Sequence, residues 1–168
     1  MKTRKWALCA VLAAAALILY AVEALLPPLT AIPGIKLGLA NVVTVFALYA
    51  LGPWYALTVL AVRIAAGSLI TGQLSALAYS AAGGAAAWAL SWLLSRFLKQ
   101  DRAWVVSAFA AIAHNAAQVL CAVLVTRTAQ LWWYLPVLVA AAVPAGAATG
   151  AAAQLVLRHT KKLFSGRP

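Results

Sequence analysis

The stretch that decides the fold is Pro33-Gly34-Ile35-Lys36-Leu37-Gly38-Leu39-Ala40-Asn41-Val42-Val43-Thr44. A proline-glycine corner is followed at once by an apolar run that carries a lysine, an asparagine and a threonine. At about 100° per residue, Lys36, Asn41 and Thr44 fall within a sector of roughly 140° on one face of a helix. The surrounding chain is almost wholly apolar, so these polar groups need partners from other helices or from a ligand. We therefore interpret the other helices as the walls around this stretch.

The composition is that of a membrane protein. Of the 168 residues, 66% are hydrophobic and 9% are charged, whereas a soluble domain carries about 25% charged residues. Ten of the thirteen lysines and arginines lie in three polar segments, at the N-terminus, at 96–102 and at 158–167. This is the distribution of positive-inside loops, and it argues against a nucleic-acid partner despite the net charge of +11. We predict one integral membrane domain, residues 1–168, in the bacterial cytoplasmic membrane.

Six apolar segments have the length and composition of transmembrane helices. They lie at about 6–26, 35–51, 54–70, 76–95, 103–125 and 135–157. If both termini are cytoplasmic, all three basic segments face the cytoplasm, and Arg127 is the only loop cation placed outside. The sequence therefore predicts an all-α bundle of six transmembrane helices with cytoplasmic N- and C-termini.

The first apolar segment admits two interpretations. It could be a cleaved signal peptide, since Val22-Glu23-Ala24 loosely resembles a small-residue cleavage site. The run is long for a signal, however, and Pro27-Pro28 supplies an ordinary helix stop. We favour a retained helix.

Small residues on this first helix suggest a docking face. Ala10 and Ala14 have the small-xxx-small spacing that lets two helices approach closely in lipid, and Ala7 and Ala13 widen the patch. The alternative is that alanine is merely abundant in this segment.

Arg63 is the sharpest polar signal in the sequence, because it lies near the middle of the third helix. A cation at that depth costs on the order of 3 kcal/mol on insertion scales and is usually functional. The structural alternative is an ion pair. Glu23 is the only acid near the membrane, but its depth on the first helix predicts Lys36 as its closer partner.

The fifth helix carries a second polar cluster, His114, Asn115 and Gln118, at helical spacing. Three such side chains on one stripe indicate either a polar cavity wall or hydrogen bonds between helices, which use the same residue types. The glycines of two other helices have two interpretations as well: they permit close packing, which we favour, or they leave room for a flat ligand. These glycines are Gly83, Gly84, Gly146 and Gly150.

Catalysis and cofactor binding have no support in the sequence. It has no phosphate-binding loop ending in Gly-Lys-Ser/Thr and no Ser-His-Asp set. One membrane histidine and two distant acids are too few for a metal site. Cys9 and Cys121 differ in predicted depth by roughly 20 Å, too far for a disulfide. We expect no enzyme, no cofactor and no metal.

The motif Pro33-Gly34-Ile35-Lys36-Leu37-Gly38-Leu39-Ala40-Asn41 resembles that of a specific small membrane family. The family is called Gx transporter and is also labelled heptaprenyl diphosphate synthase component I. The likeness covers residues 7–155 or so and continues through three further groups of residues: Arg63, then Tyr79-Ser80 with Gly83-Gly84, then His114-Asn115 with Gln118.

This family resembles the substrate-binding S components of energy-coupling factor (ECF) transporters. The resemblance implies a six-helix bundle that works with a transmembrane scaffold subunit and two ATPases, with Ala10 and Ala14 contacting the scaffold. The older family label implies prenyl diphosphate synthesis. Such synthases bind Mg²⁺-diphosphate through aspartate-rich motifs, and the only aspartate here is Asp101.

We therefore expect a substrate-capture subunit of an ECF-type importer for a small vitamin-like or anionic metabolite. The alternative is a non-catalytic membrane partner of a prenyl diphosphate or quinone biosynthesis enzyme, and a third possibility is a structural membrane protein. The expected substrate-binding residues are Lys36, Asn41, Arg63, Tyr79, His114, Asn115 and Gln118.

Overall fold

The computed structural model describes residues 2–25, 39–71 and 75–165. In that part of the chain it contains α-helices and 3-10 turns but no strand. The long helices are α1 (Lys2–Leu25), α2 (Leu39–Ala50), α3 (Pro53–Thr71), α4 (Ser75–Ser95), α5 (Ala103–Thr126) and α6 (Leu135–Ser165). The predicted all-α fold with six helices is thus confirmed. Five of them are long and apolar enough to cross a membrane, so this is a multi-pass membrane protein.

The helix boundaries agree with the predicted ones to within a few residues except at three places. The predicted start of α2, at Ile35, lies outside the described residues. At the other two places, α1 is already helical at Lys2, and α6 reaches Ser165, the last described residue, instead of the predicted Leu157. The apolar run marks where lipid ends, whereas a helix can continue into water. Basic residues in the last turns also suit the negative end of the helix dipole.

The helix α2 lies inside the bundle, because its described part contacts each of the other five long helices. Its Val43 and Ala47 belong to a core of small side chains shared with α1 and α3, which includes Cys9, Ala16 and Val59. On another face, its Val45 packs with Ala103 of α5 and Ala153 of α6. The interpretation of the other helices as walls around this stretch is confirmed from Leu39 onward.

The α5–α6 pair is held by small residues at very close range. A Cβ atom on Gly150 would lie 2.6 Å from the Cα of Trp104, and one on Gly146 would lie 2.8 Å from the carbonyl oxygen of Ser107. Between these two positions the hydroxyls of Ser107 and Thr149 are 3.2 Å apart and share a hydrogen bond. The packing interpretation of Gly146 and Gly150 is confirmed.

Side-chain contacts place three segments at one end of the bundle. The ring of Trp6, near the start of α1, meets Tyr55 at the start of α3, with centroids 5.1 Å apart. The Tyr49 hydroxyl donates to the carbonyl oxygen of Leu98, 3.0 Å away, in the loop between α4 and α5. We call this the basic end, since it carries three of the protein's exposed cations: Arg4, Lys5 and Lys99.

The opposite end carries the turn between α5 and α6. Arg127 caps α5 there in the left-handed conformation, with φ of 53°. The 3-10 turn that follows exposes Trp132, Trp133 and Tyr134, as expected for interfacial anchors. That the basic end faces the cytoplasm stays a prediction.

Both cysteines are free: Cys9 is buried and Cys121 is half-buried. The expectation that they form no disulfide is confirmed. Cys9 contacts the backbone carbonyl of Tyr55 through its sulfur, at 3.6 Å, and so helps to fasten α1 to the start of α3.

Candidate functional site

Polar side chains of α3 and α5 lie near each other in the bundle, where α4 contributes a glycine instead of a side chain. Two half-buried polar side chains of α2 are grouped with them here. We call this group the central polar site and define it as Asn41, Thr44, Arg63, Gly83, His114 and Gln118. Lys36, the remaining predicted cation, lies outside the described residues. That Arg63, His114 and Gln118 line a cavity stays a prediction.

Arg63 supplies the charge of the site. It lies midway along α3, more than one turn from either end of the helix. Its Nε is enclosed and has no hydrogen-bond partner in the described part of the chain. Glu23 of α1 lies within electrostatic range of Arg63. Arg63 is also within electrostatic range of His114.

From its depth, Glu23 was expected to be closer to Lys36, which lies outside the described residues, and Glu23 is also within electrostatic range of Arg63. A depth count along straight helices places Glu23 near the outer end of α1, but it neglects the length of the arginine side chain. That side chain spans more than one helical turn and can bring its guanidinium to a different depth from its Cα. Both interpretations of Arg63, a structural ion pair and a functional cation, therefore stay predictions.

His114 and Gln118 lie on the face of α5 that meets α4. A Cβ atom on Gly83 would lie 2.9 Å from Cε1 of His114 and 2.7 Å from Cγ of Gln118. The absence of a side chain at Gly83 is what admits both polar residues between the helices. The Nδ1 of His114 is enclosed and, within the described residues, has no hydrogen-bond partner.

The adjacent glycine, Gly84, lets α4 approach its other neighbour, α3. A Cβ atom on Gly84 would lie 2.9 Å from Cδ1 of Ile64 and 3.2 Å from Cδ1 of Leu60. The glycine pair thus lets α4 approach α5 and α3 together, which favours the packing interpretation over open space for a flat ligand. Tyr79, one turn earlier on α4, is half-buried.

The polar side chains of α2 share one sector of that helix. Val43 and Ala47 face α1 and α3, while Val45 faces α5 and α6. At about 100° per residue, Asn41 and Thr44 fall between these two directions. Both are half-buried, and the Thr44 hydroxyl oxygen is enclosed without a hydrogen-bond partner among the described residues. These two side chains therefore belong to the interior of the bundle.

Asn115 does not share the face of its neighbours. Its Nδ2 donates to the carbonyl oxygen of Leu138 on α6, at 3.0 Å. The expectation of three polar side chains on one stripe is therefore corrected: His114 and Gln118 face α4, and Asn115 faces α6, because adjacent residues are about 100° apart on a helix. For Asn115 the structure favours the interhelical hydrogen bond, and its expected role in ligand binding stays a prediction.

The small residues of α1 divide between two faces. Ala10 and Ala14 are exposed, as a docking face requires, and so is Ala7. Ala13 is buried against the bundle with Ala16, so it does not widen the outer patch as expected. It lies about 100° from Ala14 on the helix.

Two features of the site are weak in the sequence. Glu23 is separated from Arg63 by forty residues, and only the packing of α1 against α3 brings them together. One signal could have pointed to this pairing: Gly67, one turn after Arg63, is where the ring of Tyr20 packs, 3.1 Å from a Cβ atom placed on the glycine. Gln154 of α6, whose Oε1 is enclosed without a partner in the described residues, gave no signal.

One comparison with known proteins gives a match. The family model described as heptaprenyl diphosphate synthase component I matches residues 12–156. No curated protein and no solved structure matches the chain significantly. The matched range contains every member of the central polar site.

Proposed function

The chain belongs to the heptaprenyl diphosphate synthase component I family, and we propose that it serves as a substrate-binding membrane subunit without enzymatic activity of its own. More specifically, we propose that it is the S component of an ECF-type importer, in the cytoplasmic membrane of a bacterium. Its substrate is a small vitamin-like or anionic metabolite.

One observation carries this proposal: polar atoms are enclosed inside the bundle without partners in the described residues. Three of them, Thr44 Oγ1, Arg63 Nε and His114 Nδ1, come from the three helices of the central polar site, and a fourth is Gln154 Oε1 of α6. An unsatisfied buried polar group costs about 1–3 kcal/mol, and more if it is charged. A ligand that hydrogen-bonds to these atoms removes that cost. The free energy of ligand binding is therefore more favourable by the amount that the unsatisfied groups cost in the free protein.

The chemistry of these atoms sets the class of ligand. Arg63 can donate two parallel hydrogen bonds to a carboxylate, a phosphate or a pair of carbonyl oxygens. Glu23 lies within electrostatic range of Arg63, so a ligand with a large negative charge meets repulsion from that carboxylate. We therefore favour a ligand with one anionic or carbonyl-rich edge, for which Thr44 and His114 provide further hydrogen bonds.

The energy for uptake comes from partners, since the sequence contains no nucleotide-binding motif. The partners we propose are a transmembrane scaffold subunit and two ATPase subunits. Ala10 and Ala14 lie exposed on α1, where small side chains allow a scaffold helix to approach closely.

A second candidate function follows from the description of the family itself. A membrane component of a prenyl diphosphate synthase would place a diphosphate, instead of a nutrient, at Arg63. This role is non-catalytic in our proposal, because Asp101 is the only aspartate in the chain and lies in the loop at the basic end. The two candidates share a site and differ in the partner.

Identification of the retained small molecule tests the shared part of the proposal. The protein is purified from its native membrane in mild detergent, and the released small molecules are compared by mass spectrometry with those from Arg63→Gln. Lys99→Gln is the matched control, since Lys99 is exposed at the basic end. We expect a molecule that is present with the wild type and with Lys99→Gln and is depleted at least tenfold with Arg63→Gln. Equal retention by all three proteins would remove Arg63 from the site.

A further inference from the structure

A second cluster of chemistry-bearing side chains lies at the basic end, away from the central polar site. It consists of Trp54 at the start of α3, of Trp88 and Trp92 on α4, and of Arg96, the first residue after α4. We call these four residues the tryptophan–arginine patch. Trp88 and Trp92 are four residues apart and so share one face of α4.

The three rings make a continuous aromatic wall. Trp88 and Trp92 are stacked with centroids 5.3 Å apart, and the centroid of Trp54 is 6.0 Å from each of them. The Trp88 indole nitrogen donates to the carbonyl oxygen of Pro53, at 2.9 Å, and so fixes the wall to the first turn of α3. Trp54 remains 65% exposed. The wall is therefore rigid on its inner side and open to the membrane on its outer side.

Arg96 is held against this wall. Its guanidinium carbon lies 4.8 Å from the centroid of the Trp92 ring, within the range of a cation–π contact. Arg96 follows α4 directly, and this contact brings its guanidinium back over the last turn of the helix. Within the described residues no carboxylate bonds to it, and the residue is exposed.

We propose that the tryptophan–arginine patch binds the headgroup of an anionic phospholipid in the leaflet at the basic end. Tryptophan rings lie at the depth of the headgroups, and an arginine fork at that depth matches the geometry of a phosphodiester. The neighbouring loop adds Lys99 and Arg102 against the single acid Asp101, so the local charge is also complementary. This inference does not depend on the proposed function.

Native mass spectrometry of the purified protein tests the proposal with defined lipids. Phosphatidylglycerol and phosphatidylcholine of the same acyl chains are added at equal concentration to the delipidated protein. We expect phosphatidylglycerol to bind in preference, and Arg96→Gln to weaken it about fivefold, the effect of one basic residue near a charged lipid surface. Arg96→Lys keeps the charge but loses the two parallel donors of the guanidinium. Its affinity for phosphatidylglycerol should therefore lie between those of the wild type and Arg96→Gln.

Two controls separate a built site from general attraction. Lys99→Gln removes an exposed cation from the same end, and we expect it to weaken phosphatidylglycerol binding much less than Arg96→Gln. Trp92→Leu keeps every charge but removes the ring under Arg96, and it should weaken binding nearly as much as Arg96→Gln. Thermal unfolding in lipid-free detergent checks that each variant is folded. If Trp92→Leu is unfolded, Trp92→Phe replaces it, with the same expected direction.

Four results would overturn the proposal. The first is equal binding of the two lipids to the wild type. The second is an equal loss with Arg96→Gln and Lys99→Gln, which would indicate general electrostatic attraction. The third is that glycerol phosphate alone displaces the lipid at millimolar concentration, which would make the patch a site for a free phosphate. Unchanged lipid binding by Arg96→Gln, with loss of a co-purified protein subunit, would assign the patch to a protein partner instead.

Discussion

A Cβ atom on Gly83 of α4 would lie 2.9 Å from Cε1 of His114 on α5. That distance is shorter than real contacts of this kind, so the imidazole occupies space that any other residue at position 83 would fill. The polar face of α5 is therefore positioned by the absence of a side chain on α4. A substitution at Gly83 should therefore disturb the central polar site, whereas one at the adjacent Gly84 should disturb only the packing of the helices.

We expect Gly83→Ala to displace His114 and Gln118 and to reduce ligand retention at least tenfold. Gly84→Ala is the matched control, because its new methyl group meets Leu60 and Ile64, which are apolar side chains on the opposite neighbour. Both variants should lose about 1–3 kcal/mol of stability through overpacking. Ligand retention and thermal unfolding are measured on the same samples. Equal ligand retention by the two variants would contradict a role for the His114 face.

Glu23 and Arg63 are expected to be energetically coupled. Glu23→Gln removes the carboxylate that lies within electrostatic range of Arg63 and should lower the unfolding temperature. Arg63→Gln should abolish ligand retention, and combining it with Glu23→Gln should restore part of the stability lost by the single glutamate variant. A double-mutant cycle should give a coupling of about 0.5–3 kcal/mol.

The control for this cycle pairs Glu23→Gln with Lys99→Gln. Lys99 is exposed in the loop at the basic end, while Glu23 is at the far end of α1, so these two changes should be additive. Additivity in the Glu23–Arg63 cycle as well would show that the carboxylate does not compensate the guanidinium.

The α5–α6 seam should tolerate no larger residue at Gly150. The nearest atoms to a new Cβ include the backbone of Trp104 and Ala103, which cannot move aside as a side chain can. We expect Gly150→Val to reduce the unfolding temperature strongly, whereas Ala151→Val, at an exposed neighbouring position, should have little effect. Thermal unfolding in detergent measures both. A mild effect at Gly150 would mean that α6 can shift relative to α5.

Orientation in the membrane is tested by chemical labelling of single cysteines in a cysteine-free background. We expect Lys99→Cys to be protected from an impermeant reagent in intact cells, because the basic end faces the cytoplasm under the positive-inside rule. Thr128→Cys, in the turn after α5, should be labelled. The reverse pattern would invert the assigned topology.

The helices were predictable because their signal is the length of an apolar run, which lipid imposes on each segment separately. The end of α6 was not, because the helix continues past Leu157 into a basic segment where hydropathy no longer reports on structure. The α5–α6 seam was predictable from Gly146 and Gly150, since a small residue permits contact wherever the partner helix lies.

The site was predictable only in part. Arg63 and His114 stand out, because each is expensive in lipid, and spacing placed Gln118 beside His114. Spacing also grouped Asn115 with them. Asn115 is about 100° from His114 around the helix axis, however, and this rotation turns its side chain towards α6. The effect of Glu23 on Arg63 depends on how α1 packs against α3, and single-helix periodicity contains no information about that.

We propose that this chain captures a substrate for a separate transport machine. Affinity purification from native membranes, followed by identification of the co-purified proteins, tests it most directly. We predict a transmembrane scaffold subunit and two ATPase subunits with the wild type, and their loss with Ala10→Trp and Ala14→Trp, which block the exposed small-residue face of α1. Recovery of a prenyl diphosphate synthase without any ATPase would contradict the claim and favour the second candidate function.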